Sequence, residues 1–115
     1  MSIKGGSYAR FQRALEAGDL AAVRLAALEL PYVNLADALA VCLLMRRQGD
    51  RRFERAAVRW LARLSLERPE VTLADLRNAA GALVDLPSAH ARATLADLGK
   101  RMRLPGVVRV LEAGS

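Results

Sequence analysis

Arg51, Arg55, Arg59 and Arg63 recur at every fourth position, and Arg52 falls among them. At 100° per residue on a helix, the five lie within about 120° of one face, while Phe53, Ala57, Trp60, Leu61 and Leu64 take the opposite side. A guanidinium stays charged and presents a planar fork of donors, so a row of them suits carboxylates or phosphates. No acid shares this face: Glu54 lies on the far flank and only Glu67 approaches its end. Arg46 and Arg47 would extend the patch upstream. Like charges four apart repel by roughly a few tenths of a kcal/mol each, a cost that burial elsewhere must exceed. Two ligand chemistries therefore fit the strip: an acidic protein surface, or the phosphate backbone of a duplex. The competing structural reading is a solvated face in an Arg-rich chain, or pairing with acids from other helices.

Other chemistries lack their residues. One His and one Cys, His90 and Cys42, stand far apart with no CxxC or HxxxH spacing, so neither a metal site nor a thiol–imidazole pair is expected. Cys42 lies in an apolar run and reads as a small core residue. Asp37, Asp50 and Asp75 fall where helix N-termini want an acid, and Glu70 and Asp85 fall in loops, so no carboxylate pair is left for acid–base work. With no strand, there is no strand–glycine-loop–helix cradle for phosphate. The expectation is a protein without enzymatic activity, cofactor or metal. Its five aromatics, with Trp60 on the core side, also speak against base stacking on single strands. A protein partner is favoured, and sequence-independent duplex binding is the alternative.

The elements that must carry these residues are helices. Of the 115 residues 53% are apolar, but 22 are Ala and 20 Leu against nine Val, which is helix-forming stock. Capping residues precede each amphipathic run and Gly or Pro follows it. Ser7 caps a first helix, Tyr8 to Ala17, stopped by Gly18; Asp19 caps a second, Leu20 to Leu30, stopped by Pro31. Asn34 caps Leu35 to Gln48, stopped by Gly49, and Asp50 caps the longest, Arg51 to Glu67, which ends before Pro69. Thr72 caps Leu73 to about Val84, Ser88 caps a helix to about Arg103, and a short seventh follows Pro105-Gly106 from Val107 to Glu112. The reading is all-α: six or seven short helices in antiparallel hairpins. It comprises a flexible lead-in over 1–6, a single helical domain over 7–104, and a short C-terminal helix or tail over 105–115.

Two pieces recur in order. Ala21-Ala22-Val23-Arg24 returns as Ala56-Ala57-Val58-Arg59, and Glu29-x-Pro31-x-Val33-x-Leu35-Ala36-Asp37 returns as Glu67-x-Pro69-x-Val71-x-Leu73-Ala74-Asp75. Both copies read helix, Pro-containing turn, capped helix, which predicts a two-copy, helical-repeat-like bundle. The run Arg51 to Leu61, preceded by Leu30-Pro31 and the Leu35 to Leu44 helix, resembles small all-α proteins common in GC-rich actinobacterial genomes, over about residues 9 to 86. That resemblance implies the fold and a bacterial cytosol and nothing about mechanism. Thr72 to Gly81 resembles the first helix and turn of helix-turn-helix repressors, yet a turn at Gly81 would put Pro87 inside the recognition helix, at a cost of about 3 kcal/mol.

Net charge is +6, from 18 basic and 12 acidic residues, and 16 of the bases are Arg. GC-rich codon usage produces the same bias without selection for binding. One Cys forms no intramolecular disulfide, which suits a reducing cytoplasm. The longest apolar run, Ala38 to Met45, is too short for a membrane span, and the first seven residues lack a signal-peptide core. The third helix is apolar nearly all round, through Leu35, Leu39, Val41, Cys42, Leu43, Leu44 and Met45. Such a helix is central or covered by a partner; a central place is favoured, and a homodimer is the other reading.

Overall fold

The computed structural model describes residues 3–113, and within them every regular element is an α-helix. Seven are present: α1 (Ile3–Ala17), α2 (Leu20–Leu28), α3 (Leu35–Arg47), α4 (Phe53–Glu67), α5 (Leu73–Asp85), α6 (Ala89–Arg101) and α7 (Pro105–Ala113). They group into two compact units, Met1–Asn34 and Leu35–Ser115, where the sequence alone suggests one domain over 7–104.

In the first unit α1 and α2 pack as a hairpin. Asp19 caps α2 as expected, its carboxylate accepting from the Ala22 N–H at 3.1 Å. Ser7 does not cap α1. The helix begins at Ile3, so residues 3–6 of the expected lead-in are helical, while Met1 and Ser2 lie outside the described residues. Ser7 is instead buried inside the helix, where its hydroxyl accepts from Arg10 at 3.2 Å and faces the Glu29 carboxylate, which Arg10 also pairs. A hydroxyl satisfied across the hairpin has no need of the helix's free N–H groups.

In the second unit consecutive helices pack on one another from α3 to α7, and α7 returns to α3. Each turn has a local cause. Gly49, at φ 66°, ends α3 in the left-handed conformation that a side chain resists. Thr72 and Asp75 form a capping box at α5: the Thr72 hydroxyl accepts from the Asp75 N–H at 3.0 Å, and the Asp75 carboxylate accepts from the Thr72 N–H at 3.1 Å. Ser88 caps α6 by accepting from Ala91 N–H. Pro105 opens α7 at its first helical position, where a missing N–H costs nothing, so the helix starts two residues earlier than its apolar pattern suggests. Gly106 lets α7 lie against α3: a Cβ there would come within 3.0 Å of the Ala36 Cβ.

Of the third helix's apolar residues, Leu35, Leu39, Cys42, Leu44 and Met45 are buried while Val41 and Leu43 are half-buried, so most of its apolar surface lies inside the second unit. Trp60 is buried, and its indole N–H donates to the Leu35 carbonyl at 2.8 Å, pinning α4 to the start of α3. The repeat-like pattern holds at its turns, since Asp37 and Asp75 are both buried near the start of their helices. Elsewhere the copies diverge. Val23 is 1% exposed and its counterpart Val58 60%; Leu35 is 4% exposed and Leu73 86%. The α5 helix runs unbroken through Gly81, so there is no helix-turn-helix at that position.

Candidate functional site

The arginines of the strip separate into three groups. Arg55 and Arg59 project from α4 and are exposed, and neither has a hydrogen bond or ion pair among the described residues. Arg51 and Arg47 are likewise exposed and unpaired there, but they stand off α4: Arg51 in the turn before it, Arg47 at the last residue of α3. The second group is neutralised. Arg63 bridges to Glu67 one turn on, at 3.1 Å, and Arg52 bridges to Asp50 at 2.7 Å. The Asp50 hydrogen bond holds the Arg52 guanidinium still more firmly charged.

Arg46 forms the third group and is structural. Its Nε donates to the Leu86 carbonyl at 2.8 Å and its Nη2 to the Val84 carbonyl at 2.7 Å, while its guanidinium carbon lies 5.2 Å over the Phe53 ring. It thus satisfies carbonyls at the end of α5 and is removed from the arginine strip. Arg68 has a matching role at the end of α6, donating to the Met102 carbonyl at 3.1 Å.

The expected helix start at Arg51 is corrected as well. Asp50 accepts from the Arg52 backbone N–H at 2.8 Å, within a turn, and α4 begins only at Phe53. The carboxylate that would have capped a longer helix is held by Arg52 itself. Arg51 and Arg52 are consequently off the helical face on which Arg55, Arg59 and Arg63 lie.

What the strip shares its face with is apolar. Val58, Ala62 and Leu66 are exposed at successive turns of α4, with Leu66 at 81%. A large, solvent-facing aliphatic row beside unpaired cations is the surface that projecting the arginines alone misses. Its sequence signal is present, since Val58, Ala62 and Leu66 recur every fourth residue outside the core stripe.

Beside Val58 a groove of about 490 Å³ opens between α4 and α5. Phe53, Ala57 and Leu83 are buried along it, Leu61 and Ala80 are half-buried, and Val58 and Val84 stand exposed on opposite sides. Glu54, Asp50 and Arg51 lie at its mouth.

Cys42 is buried, and that burial pushes its thiol up to about 11 against the opposing pull of the Arg59 charge. At neutral pH it is therefore a protonated thiol. His90 is exposed near the start of α6. Among the described residues no group of three or more His, Cys, Asp or Glu could hold a metal ion, and no helix is long and apolar enough to cross a membrane. Comparison with family models, with curated proteins and with solved structures finds no match. Of the resemblance carried by Arg51 to Leu61, the all-α fold is what stands.

Proposed function

We propose that the protein is a non-enzymatic helical interaction module whose partner is another protein, bound through the outer face of α4. The observation that carries this reading is the interleaving of Arg55 and Arg59 with Val58, Ala62 and Leu66 on one exposed face. Apolar surface of this kind gains by leaving water against another protein, whereas phosphates offer it nothing. The guanidiniums then supply orientation and selectivity through carboxylates on the partner. A reducing cytoplasm suits the single buried thiol. Duplex binding is the second reading, favoured by the unpaired Arg47, Arg51, Arg55 and Arg59 and by the net charge of +6.

Salt separates the two. Phosphate binding releases counterions and weakens steeply between about 50 and 200 mM salt, while a partly apolar interface endures. Anisotropy with a labelled random duplex at about 150 mM salt is expected to show no appreciable binding. A photo-reactive side chain at position 62, in the native host, is expected to yield discrete protein adducts that a distant exposed position such as Ala93 does not, and Arg55→Glu with Arg59→Glu should diminish them. Tight duplex binding at that salt, abolished by the same double reversal, would replace this reading with the nucleic-acid one.

A further inference from the structure

We infer that α2 is the seam of a weak two-fold dimer, in which it lies parallel to the α2 of a second copy of this chain. The observation is a helix with more apolar surface than its one neighbour in the first unit covers. Arg24 is the sole polar residue among the nine of α2, and α1 packs on the side that carries Leu20, Val23 and Ala26. Leu25 and Leu28, 68% and 83% exposed, stand on the other side with Ala21. A helix apolar all round is ordinarily enclosed, and a unit below about 40 residues ordinarily completes its core by association. This face belongs to the first unit and the inference does not rest on α4.

Spacing and charge select the occupant. Ala21, Leu25 and Leu28 follow the four-then-three spacing of a two-stranded coiled-coil seam. Around the α2 axis Arg24 and Glu29 flank that seam, about 70° to either side, and Glu29 continues the helical backbone at φ −86°. In a parallel pair opposite flanks meet, so Arg24 of each copy faces Glu29 of the other and two reciprocal ion pairs form. An antiparallel pair would bring the two Arg24 flanks together instead. Both groups have capacity to spare. Arg24 is exposed with no hydrogen bond or ion pair among the described residues, and Glu29 holds Ser7 and Arg10 through Oε1 alone. In the groove beside Glu29 the two bases, Arg10 and Arg13, are balanced by Asp19 and Glu29. Bulk charge does not oppose the pairing, since residues 1–34 carry four bases against three acids and most of the +6 lies in the second unit. The face is thus self-complementary, which is what a two-fold interface requires.

Sedimentation equilibrium on the full chain should show a monomer at about 10 µM passing to a dimer by about 1 mM, the weak association that a short seam gives. Leu25→Glu with Leu28→Glu, both at exposed positions and checked for helicity by circular dichroism, should stay monomeric throughout. Arg24→Glu should weaken association about tenfold at about 50 mM salt and less at about 500 mM. Arg55→Glu with Arg59→Glu should leave it unchanged. Orientation is read in a Cys42→Ala background, where Ala21→Cys should form a disulfide-linked dimer under mild oxidation. A parallel seam sets the two copies of position 21 face to face, whereas an antiparallel one with Leu25 opposite Leu28 holds them about 16 Å apart. A monomer at about 1 mM overturns the inference. So does a dimer that survives Leu25→Glu with Leu28→Glu, or one lost through Arg55→Glu with Arg59→Glu. A dimer that depends on Leu25 and Leu28 but gives no Ala21→Cys cross-link overturns the parallel pairing. None of these results bears on α4 as a protein-binding face except loss through its own two arginines, which would place the self-contact there.

Discussion

Trp60 and Cys42 show how single side chains are committed to the interior. The indole is 3% exposed and spends its one N–H on the Leu35 carbonyl, so truncation removes both a large apolar volume and a buried bond. Trp60→Ala should cost about 3 to 5 kcal/mol, read as a drop in the urea midpoint. An unchanged midpoint would put the ring outside the core. Cys42 tests burial through pH. Its thiol is raised from an ordinary 9.0 to about 11 because burial disfavours the thiolate. Above pH 9.0 the unfolded chain loses that proton while the folded chain keeps it, so this contribution to stability is full below 9.0 and disappears as pH rises through about 11. Unfolding midpoints between these pH values should fall more in the natural protein than in Cys42→Ala. A disulfide reagent at neutral pH should label Cys42 only after unfolding.

The start of α5 ties a helix cap to a tertiary ion pair. The Asp75 carboxyl is held below its ordinary 3.8, first by the Thr72 backbone N–H and then by Arg101, which reaches it at 3.0 Å. The sign follows from the lowered value: the unfolded chain takes up the proton first as pH falls, so the stabilisation is present above about 3.8 and is lost through the lower folded value. Asp75→Asn should therefore lower the melting temperature at neutral pH, with the difference from the natural protein closing in acid. A gap independent of pH would mean the carboxylate charge contributes nothing. Thr72→Ala, which removes the other half of the box, should cost about 1 kcal/mol. Arg46 and Arg68 show the complementary economy at helix ends, each giving its guanidinium to carbonyls at the end of a helix distant in sequence. Together with the ion-paired Arg52, Arg63 and Arg101, they are why an arginine count overstates the guanidiniums free to bind.

At the scale of the whole molecule, the division at Asn34 carries its own expectation. Segments that share most of their packing open together, so α1 and α2 should exchange their amide hydrogens with one common free energy and α3 to α7 with another, higher one. The order follows from size, because a two-helix unit has less apolar surface to bury than a five-helix one. Native-state hydrogen exchange measures both. A single free energy across all seven helices would show that the units unfold as one.

Caps, stops and helix order were legible because they depend on residues within one or two turns of each other. Asp19 before Leu20, Thr72 with Asp75, Ser88 before Ala89 and Gly49 after α3 each act through local backbone geometry, and each is where the sequence puts it. The apolar phase of α4 was equally local, so Trp60 and Leu64 fall on the core side as projected. Ser7 was misread because Glu29 holds it from across a hairpin, and Arg51 because a local turn around Asp50 competes with the helix start and takes it off α4. What only the tertiary structure decided was the destination of each charge and each valine. The same four-residue word, Ala-Ala-Val-Arg, buries Val23 and exposes Val58, because burial depends on which neighbours pack against a helix rather than on the helix itself. Arg46 meets carbonyls about 40 positions away and Arg101 an acid 26 away, partners that no local pattern encodes. The sequence thus determined an all-α chain of six or seven helices with an arginine-rich fourth, and the packing fixed the count at seven and decided which two arginines of α4 stay unpaired.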